Sequence, residues 1–477
     1  MAKGSGPCVK CWLALALVGV IILVATGVWN PFPDLWQWAS QNRALSEPAP
    51  AWQQRLGGSP TSVTIAGNTA VVEERTSVEA RSLATGVKLW DRKADWAAVA
   101  GADRDAVVAV GKLLEKGYQV LDPETGAVRR SDKDAVAVWT YRNALLDVRC
   151  VNAKDCTLTA WDPRGSTPAW SAFLPGVHAG LLADNPKLLG TRRLTARRVA
   201  DDASGPELMP GLLGLPVDGR VVIVDTAAGR VMQDVQPGRE DRVVVVGGRM
   251  LRIEARARDA SCYFTVIARD PATGQEVWRR TSLNLRTADG AGCVQRDDPQ
   301  GGQNVVVAVG PDGREVVLDA YDGRYLWVGA AGEKLLAVDD RYALARSADG
   351  GSVNVHELPV EATRWSRPLA KEGPAALTRY AVVLIDEKPD RIIATEPRGG
   401  RELVNIRSDA KVFAVGPGGM IIGDGRDLGY VRFSGSGSDR PGPGAGRPDA
   451  GPGDGKAGTT GPTCDGPKNE VCPPRGG

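Results

Sequence analysis

Apolar and polar residues alternate over short stretches from residue 51 to 433, and clusters of Gly, Asp, Pro and Thr interrupt the alternation at regular intervals. Period-two alternation broken by turn residues is the pattern of half-buried β-strands. Eight stretches repeat one plan, an alternating strand, a polar turn and a short strand that often ends in Trp. They are Val78–Trp90 (VEARSLATGVKLW), Tyr118–Arg130, Leu158–Trp170, Val221–Gln233, Thr265–Trp278, Val316–Trp327, Val353–Trp365 and Ile392–Val404. The turn glycines are Gly86, Gly126, Gly165, Gly229, Gly274, Gly323 and Gly399. Their separations run 40, 39, 64, 45, 49 and 76, and the last gap holds a Gly-less unit at Pro359–Ala362. No stretch between turns carries a long amphipathic helical pattern.

A unit of roughly 40 residues with four short strands is the size of a propeller blade. The turn glycine supplies a positive φ. The Trp that follows, at Trp90, Trp170, Trp278, Trp327 and Trp365, lies on the outer strand, where a flat ring can cover the seam between neighbouring sheets. These Gly and Trp residues are expected to be structural. The predicted fold is all-β, a propeller of four-stranded blades, with eight blades favoured and seven to nine compatible.

The Asp270–Trp278 segment DPATGQEVW, the Asp122–Gly126 turn DPETG and the Ala84–Trp90 segment ATGVKLW together resemble the quinoprotein-type (PQQ-like) β-propeller repeat. The resemblance covers roughly residues 51–433. An anchored propeller without catalytic insertions is similar to the BamB-type assembly-factor branch of that family. It implies an eight-bladed habit, and the irregular 171–220 region, with its insertion Asp201–Gly219, is where a blade would be miscounted.

After Leu403 come three strand signals, Lys411–Val415, Met420–Gly423 and Leu428–Phe433, without a fourth. Ala51–Gly57 (AWQQRLG) is a lone outer strand with its own Trp52. Pairing the two would close the ring by joining the chain ends, which removes a costly open sheet edge.

Outside the repeat, Trp12–Trp29 is an uncharged 18-residue apolar run with Trp at each end, long enough for a short membrane span. Lys3 and Lys10 precede it, and no basic residue follows until Arg43. The positive-inside rule then predicts 1–11 in the cytoplasm, 12–29 as a transmembrane helix, 30–50 as a juxtamembrane stalk and the 51–433 propeller outside the cytoplasm. The run is too long for an ordinary signal peptide and lacks a small-residue cleavage site. Residues 434–477 hold 13 Gly and 8 Pro, and are expected to be a disordered tail.

A net charge of +2 argues against nucleic acid or an anionic membrane surface as the main partner. The eight Cys fall into local pairs. Cys150/Cys156, Cys262/Cys293 and Cys464/Cys472 lie on the predicted outer side and are disulfide candidates. Cys8/Cys11 is a C-x-x-C pair on the other side. Two His, His178 and His356, are isolated in sequence and expected in loops or at the surface. The acidic pairs Asp201-Asp202, Asp297-Asp298 and Asp339-Asp340 read as turns, and Arg192-Arg193 with Arg197-Arg198 forms a basic knot. Quinone-dependent enzymes with the resembling fold carry adjacent cysteines and a calcium site, and no adjacent cysteines occur here. No G-x-S-x-G, H-E-x-x-H or P-loop is present. The expectation is a non-enzymatic scaffold at the cell envelope, with no catalytic, metal or cofactor residues, a single membrane span and an envelope protein as partner. The competing readings are a quinone-dependent oxidoreductase-like protein, and a sensor that binds a small molecule or glycan in the central channel.

Overall fold

The computed structural model describes residues 44–434, apart from 153, 178–189, 192–197, 218, 239–240 and 359–361. Its repeating unit grows from the Asp-x-x-Thr-Gly turn. In Asp122–Gly126 the Asp122 carboxylate accepts hydrogen bonds from the backbone N–H of Glu124 and Thr125 and from the Thr125 hydroxyl. The Gly126 N–H closes the loop on the Asp122 carbonyl at 2.9 Å, with φ +67°. Asp270–Gly274 repeats this geometry, with φ +71° at Gly274. Each turn therefore folds on its own side-chain bonds and delivers the chain into an antiparallel outer strand.

Among the described residues nine blade sheets follow in chain order, one more than the favoured eight, and a two-stranded ribbon pairs Thr287–Ala288 with Gln295–Arg296. The blade sheets span 62–92, 96–132, 135–175, 212–235, 241–281, 300–328, 334–368, 375–407 and 411–432, and are termed blades 1 to 9. Seven are four-stranded, blade 4 has three strands, and blade 6 gains a fifth from Gly190–Thr191, which pairs in parallel with Gln300–Gly301. The irregular 171–220 region does not hide a miscounted blade. Leu212–Val217, Arg220–Asp225 and Arg230–Val235 pair as the second, third and fourth strands of a blade that lacks its first among the described residues. The chain makes that first crossing elsewhere, as described below.

Blade 9 closes the ring. Trp52–Arg55 pairs antiparallel with Asp427–Arg432, Trp52 opposite Tyr430 and Arg55 opposite Asp427. Residues 44–50, assigned to the stalk from sequence, pack on the seam of blades 8 and 9. Leu45 and Ser46 are buried, and Glu47 exchanges two backbone hydrogen bonds with Arg407.

Strand direction alternates within each blade. The second-to-third hairpins and the connections between blades therefore share one face of the ring, here the hairpin face. The first-to-second hairpins and the Asp-x-x-Thr-Gly-type turns share the opposite, turn face.

At several seams a Trp ring covers the turn of the next blade. The Trp90 indole N–H donates to the Pro123 carbonyl of the next blade at 2.8 Å, and a Cβ on Gly126 would lie 2.7 Å from the Trp90 ring. Trp52 makes the same contact with Leu83 and Gly86, Trp278 with Ala320 and Gly323, and Trp365 with Pro397 and Gly400. Trp170 covers Gly229. Trp327 packs instead on His356, 5.6 Å between ring centroids. Two glycines depart from expectation. Gly165 does not adopt positive φ, because Asp162–Gly165 is a tighter turn closed by the Gly165 N–H on the Asp162 carbonyl. In the turn beginning at Glu396 the left-handed residue is Gly400 (φ +66°), not Gly399, since the loop closes from Gly400 to Glu396. Where Trp is missing, Arg130 fills the seam between blades 2 and 3. Its guanidinium stacks 4.0 Å over Trp161 and donates to the Gly165 carbonyl.

Among the described residues no helix is long and apolar enough to cross a membrane. The predicted span, Cys8, Cys11, Cys464, Cys472, His178 and the 435–477 tail lie outside them.

Candidate functional site

The centre of the ring is occupied by the chain itself. Residues 198–203 run parallel to the first strand of blade 9. The Val412 N–H donates to the Arg198 carbonyl at 2.7 Å, the Ala200 N–H to the Val412 carbonyl at 2.8 Å, and the Val415 N–H to the Ala203 carbonyl at 2.8 Å. The segment enters at the hairpin face, where the Arg198 guanidinium donates to the Asp390 carboxylate and to the Ser408 and Ala410 carbonyls. It leaves at the turn face. There the Pro206 carbonyl accepts from Arg379 of blade 8, the Glu207 carbonyl from the Arg142 N–H of blade 3, and the Leu208 carbonyl from Gln303 of blade 6. The Met209 N–H donates to the Asn143 side chain. This strap makes the crossing that blade 4's missing first strand would make, but against blade 9. Arg198 of the basic knot is thus committed internally, while Arg192, Arg193 and Arg197 lie outside the described residues. Asp202 accepts from the Ser62 hydroxyl at 2.6 Å. A channel ligand would have to share the centre with the strap.

A groove of about 580 Å³ opens on the hairpin face beside blades 6 and 7, lined in part by Arg286, Asp312, Arg314, Glu315, Glu333 and Lys334. Four of these charges form two ion pairs. Arg286 meets Glu315 at 2.5 Å and Arg314 meets Asp312 at 2.5 Å. Glu333, which no motif marks, is the most perturbed group there. Burial works to raise its pKa, but hydrogen bonds from His356, from Asn354 and from the Ala330 N–H hold it down, to about 2. His356 is neither in a loop nor at the surface, the places expected from sequence. It lies on the third strand of blade 7 with a side chain 11% exposed, between Glu333, the Thr363 hydroxyl and Trp327.

This cluster has the look of a base and its carboxylate, and it lies beside the seam where Trp327 of blade 6 packs on His356 of blade 7. A depressed carboxylate pKa adds stability that is complete above the unfolded value, 4.5, and is lost as pH falls toward the folded one. Glu333→Gln should therefore destabilise the protein at neutral pH by an amount on the order of 3 kcal/mol. The difference should shrink toward zero as the pH approaches 2. Paired urea titrations at the two pH values read this out, and a gap that persists in acid would contradict it.

Another buried acid lies in blade 3. Asp147 has no exposed surface and accepts from the Tyr118 hydroxyl at 2.7 Å and the Trp161 indole at 2.8 Å. Burial raises its pKa against those bonds. It anchors the two rings that flank Arg130, which marks it as part of the seam. Asp339 and Asp340 cap the first hairpin of blade 7. Asp339 accepts from the Arg341 and Tyr342 N–H groups and Asp340 from that of Asn304. Among the described residues no group of three or more His, Cys, Asp or Glu is placed to hold a metal ion.

Exposed apolar side chains occur on both faces, with Val87 and Tyr321 at turns of the turn face and a second set on the hairpin face. The tip of blade 2 carries Leu113 (75% exposed) and Leu114 (99%). The tip of blade 3 carries Val151 (85%), with Phe173 (59%) on the adjoining outer strand. Blade 5 carries Tyr263 (53%), with Val294 (51%) on the nearby 286–300 excursion. Both described disulfides brace this face, Cys150–Cys156 across the blade 3 hairpin and Cys262–Cys293 between the blade 5 hairpin and the excursion. Sequence reading paired these cysteines but did not connect them to the apolar tips, because the shared face depends on strand direction.

A family model described as outer membrane protein assembly factor BamB matches residues 154–359 and, overlapping, 263–400. A search of curated proteins found no match. Among solved structures, BamB from Moraxella catarrhalis is 15% identical over 75% of this chain and 98% of its own, with a TM-score of 0.33. The computationally designed Ika8 protein is 15% identical over 74% and 98%, with a TM-score of 0.35. Saccharomyces cerevisiae Sqt1 is 8% identical over 80% and 97%, also with a TM-score of 0.35.

Proposed function

The chain belongs to the PQQ-like β-propeller family whose model is described as outer membrane protein assembly factor BamB, and from that premise we propose that it is a membrane-anchored scaffold. In this reading the ring stands outside the cytoplasm and binds an envelope protein without catalysing a reaction. The observation that carries the reading is the strap across the centre. With residues 198–209 bonded to blades 3, 6, 8 and 9, the outer faces and their loops are the broadest surfaces for recognition. The strap also takes up part of the channel that the sensor reading needs.

Crosslinking in intact membranes, followed by identification of captured proteins, tests the scaffold role. One reproducible envelope partner attached through ring loops is the expected result. Recovery of the uncrosslinked chain alone would count against it. The orientation has its own test. Protease added to intact protoplasts should digest the ring or the residues that follow it, and complete protection would place the ring inside.

A further inference from the structure

We propose that the Cys262–Cys293 disulfide is a reducible latch, which a dithiol opens in the folded ring to free the 289–299 tip of the excursion from blade 5. The inference goes beyond the scaffold reading and holds whichever partner the ring takes. It starts from what each disulfide joins. Cys150 and Cys156 are six residues apart and already stand opposite each other in the blade 3 ladder, so their bond repeats a contact that the strands make. Cys262 and Cys293 are 31 residues apart, and among the described residues no backbone pairing joins their segments. The blade 5 hairpin stands without this bond. Its second and third strands pair without a break from Met250–Arg269 to Arg258–Ser261, and Asp259 and Ala260, both left-handed at φ +51° and +59°, close it in a two-residue turn.

The excursion depends on the bond far more. Its base is firm, since Leu283, Leu285, Thr287 and Ala288 are buried and Asn284 exchanges two backbone hydrogen bonds with Val309. Its far end is held as well, where Gln300–Gly301 pairs with Gly190–Thr191. Between them the 289–299 tip is mostly exposed. A short ribbon holds it, Thr287 opposite Arg296 and Ala288 opposite Gln295, with a turn bond from the Cys293 N–H to the Gly290 carbonyl. Thr287 Oγ1 and Gln295 Oε1, one on each strand of that ribbon, are buried without a hydrogen-bond partner among the described residues, which weakens it. The tip lies on the second strand of blade 5. A Cβ on Gly290 would meet the Ala255 carbonyl at 2.0 Å, and one on Gly292 the Ala257 side chain at 3.2 Å. The disulfide is the covalent tie that keeps it there.

The two bonds also differ in access. Cys262 is exposed at the hairpin tip, whereas Cys156 is fully buried and Cys150 half-buried. Exchange begins when a thiolate reaches a disulfide sulfur. One thiolate of the dithiol attacks Cys262 Sγ and forms a mixed disulfide as the bond to Cys293 breaks. Cys293 Sγ leaves with the electron pair as a thiolate and takes a proton from water. The second thiolate of the reductant then attacks its own sulfur in the mixed disulfide and expels Cys262 Sγ, which is protonated in turn. Two electrons pass from the dithiol, which departs as a disulfide, to the two cysteines. The tip then has only the ribbon and its turn bond, and it lifts from Ala255 and Ala257 on the hairpin face.

The test treats the full chain with dithiothreitol under native conditions, alkylates it, and maps the modified cysteines by mass spectrometry beside hydrogen exchange. Cys262 and Cys293 should be alkylated while Cys150 and Cys156 stay linked. Amides in 289–299 should exchange faster by roughly tenfold or more, and those of Ile253 and Val266, paired within blade 5, should hold their rates. The double variant Cys262→Ser, Cys293→Ser should show the same fast exchange without reductant. The variant Cys150→Ser, Cys156→Ser should keep the response to reductant. A Cys262–Cys293 bond that resists dithiothreitol until the ring unfolds overturns the latch, as does reduction of both bonds at one rate. Reduction that leaves 289–299 as slow as before shows a bond that restrains nothing, and protection lost across the whole ring shows a staple of the fold. Either result also overturns the proposal.

Discussion

Deleting residues 51–57 from the full chain should abolish its cooperative unfolding transition, and Trp52→Ala should destabilise it by about 3–5 kcal/mol. Trp52 is buried, stacks on Tyr430 at 6.2 Å between centroids, and donates to the Leu83 carbonyl at 2.8 Å. It therefore joins two parts of the ring at once, the third strand of blade 9 and the turn of blade 1. Removing the ring leaves a cavity between blades and an unpaired carbonyl. Removing the strand exposes the edge of Asp427–Arg432 and detaches blade 9 from blade 1. Thermal unfolding followed by near-ultraviolet dichroism reads both variants. Truncation after Ser434 is the control, expected to leave the transition in place. A 51–57 deletion that melts with the intact chain would mean that the ring does not depend on its N-terminal strand.

That closure was legible in the sequence, because three strands without a fourth and a lone strand with a blade-type Trp leave one way to close the ring. The seam was legible for the same reason, since the Asp-x-x-Thr-Gly turn and its Trp are local. Reading failed at two turns for different reasons. The left-handed glycine lies four residues after the residue that opens the loop, as in Asp122–Gly126 and from Glu396 to Gly400. The Glu396 turn keeps that length, but two adjacent glycines end it and the spacing alone does not choose Gly400 over Gly399. The Asp162–Gly165 turn is one residue shorter and has no such position. The Glu333–His356 contact and the hairpin-face set of apolar tips were not legible, because both depend on how strands stack and not on local pattern. The anchor, the 435–477 tail and the Cys464/Cys472 pair remain statements of sequence.

The strap was the least legible element, because its partners lie about 210 residues away and nothing periodic announces them. It also makes the second large prediction. Arg198 is the pin at its entry, holding the Asp390 carboxylate at 2.9 Å, the Ser408 carbonyl at 2.6 Å and the Ala410 carbonyl at 3.2 Å. Arg198→Ala strips those acceptors of a charged donor, at an expected cost of about 2–3 kcal/mol. The more telling readout is where protection is lost. The amides of Val412 and Val415 donate to the strap carbonyls of Arg198 and Ala203, so native-state hydrogen exchange at these two positions should quicken in the variant. Amides in blade 5, such as that of Val266, which pairs within its own sheet opposite Ile253 and Arg280, should hold their rates. Equal loss everywhere would show only a lower global stability, and no loss at Val412 and Val415 would show that the strap does not hold blade 9. Localised loss would establish that one sheet gathers three distant parts of the chain, 52–55, 198–203 and 411–432. Opening that sheet would release the N-terminal strand, the strap and the last blade together.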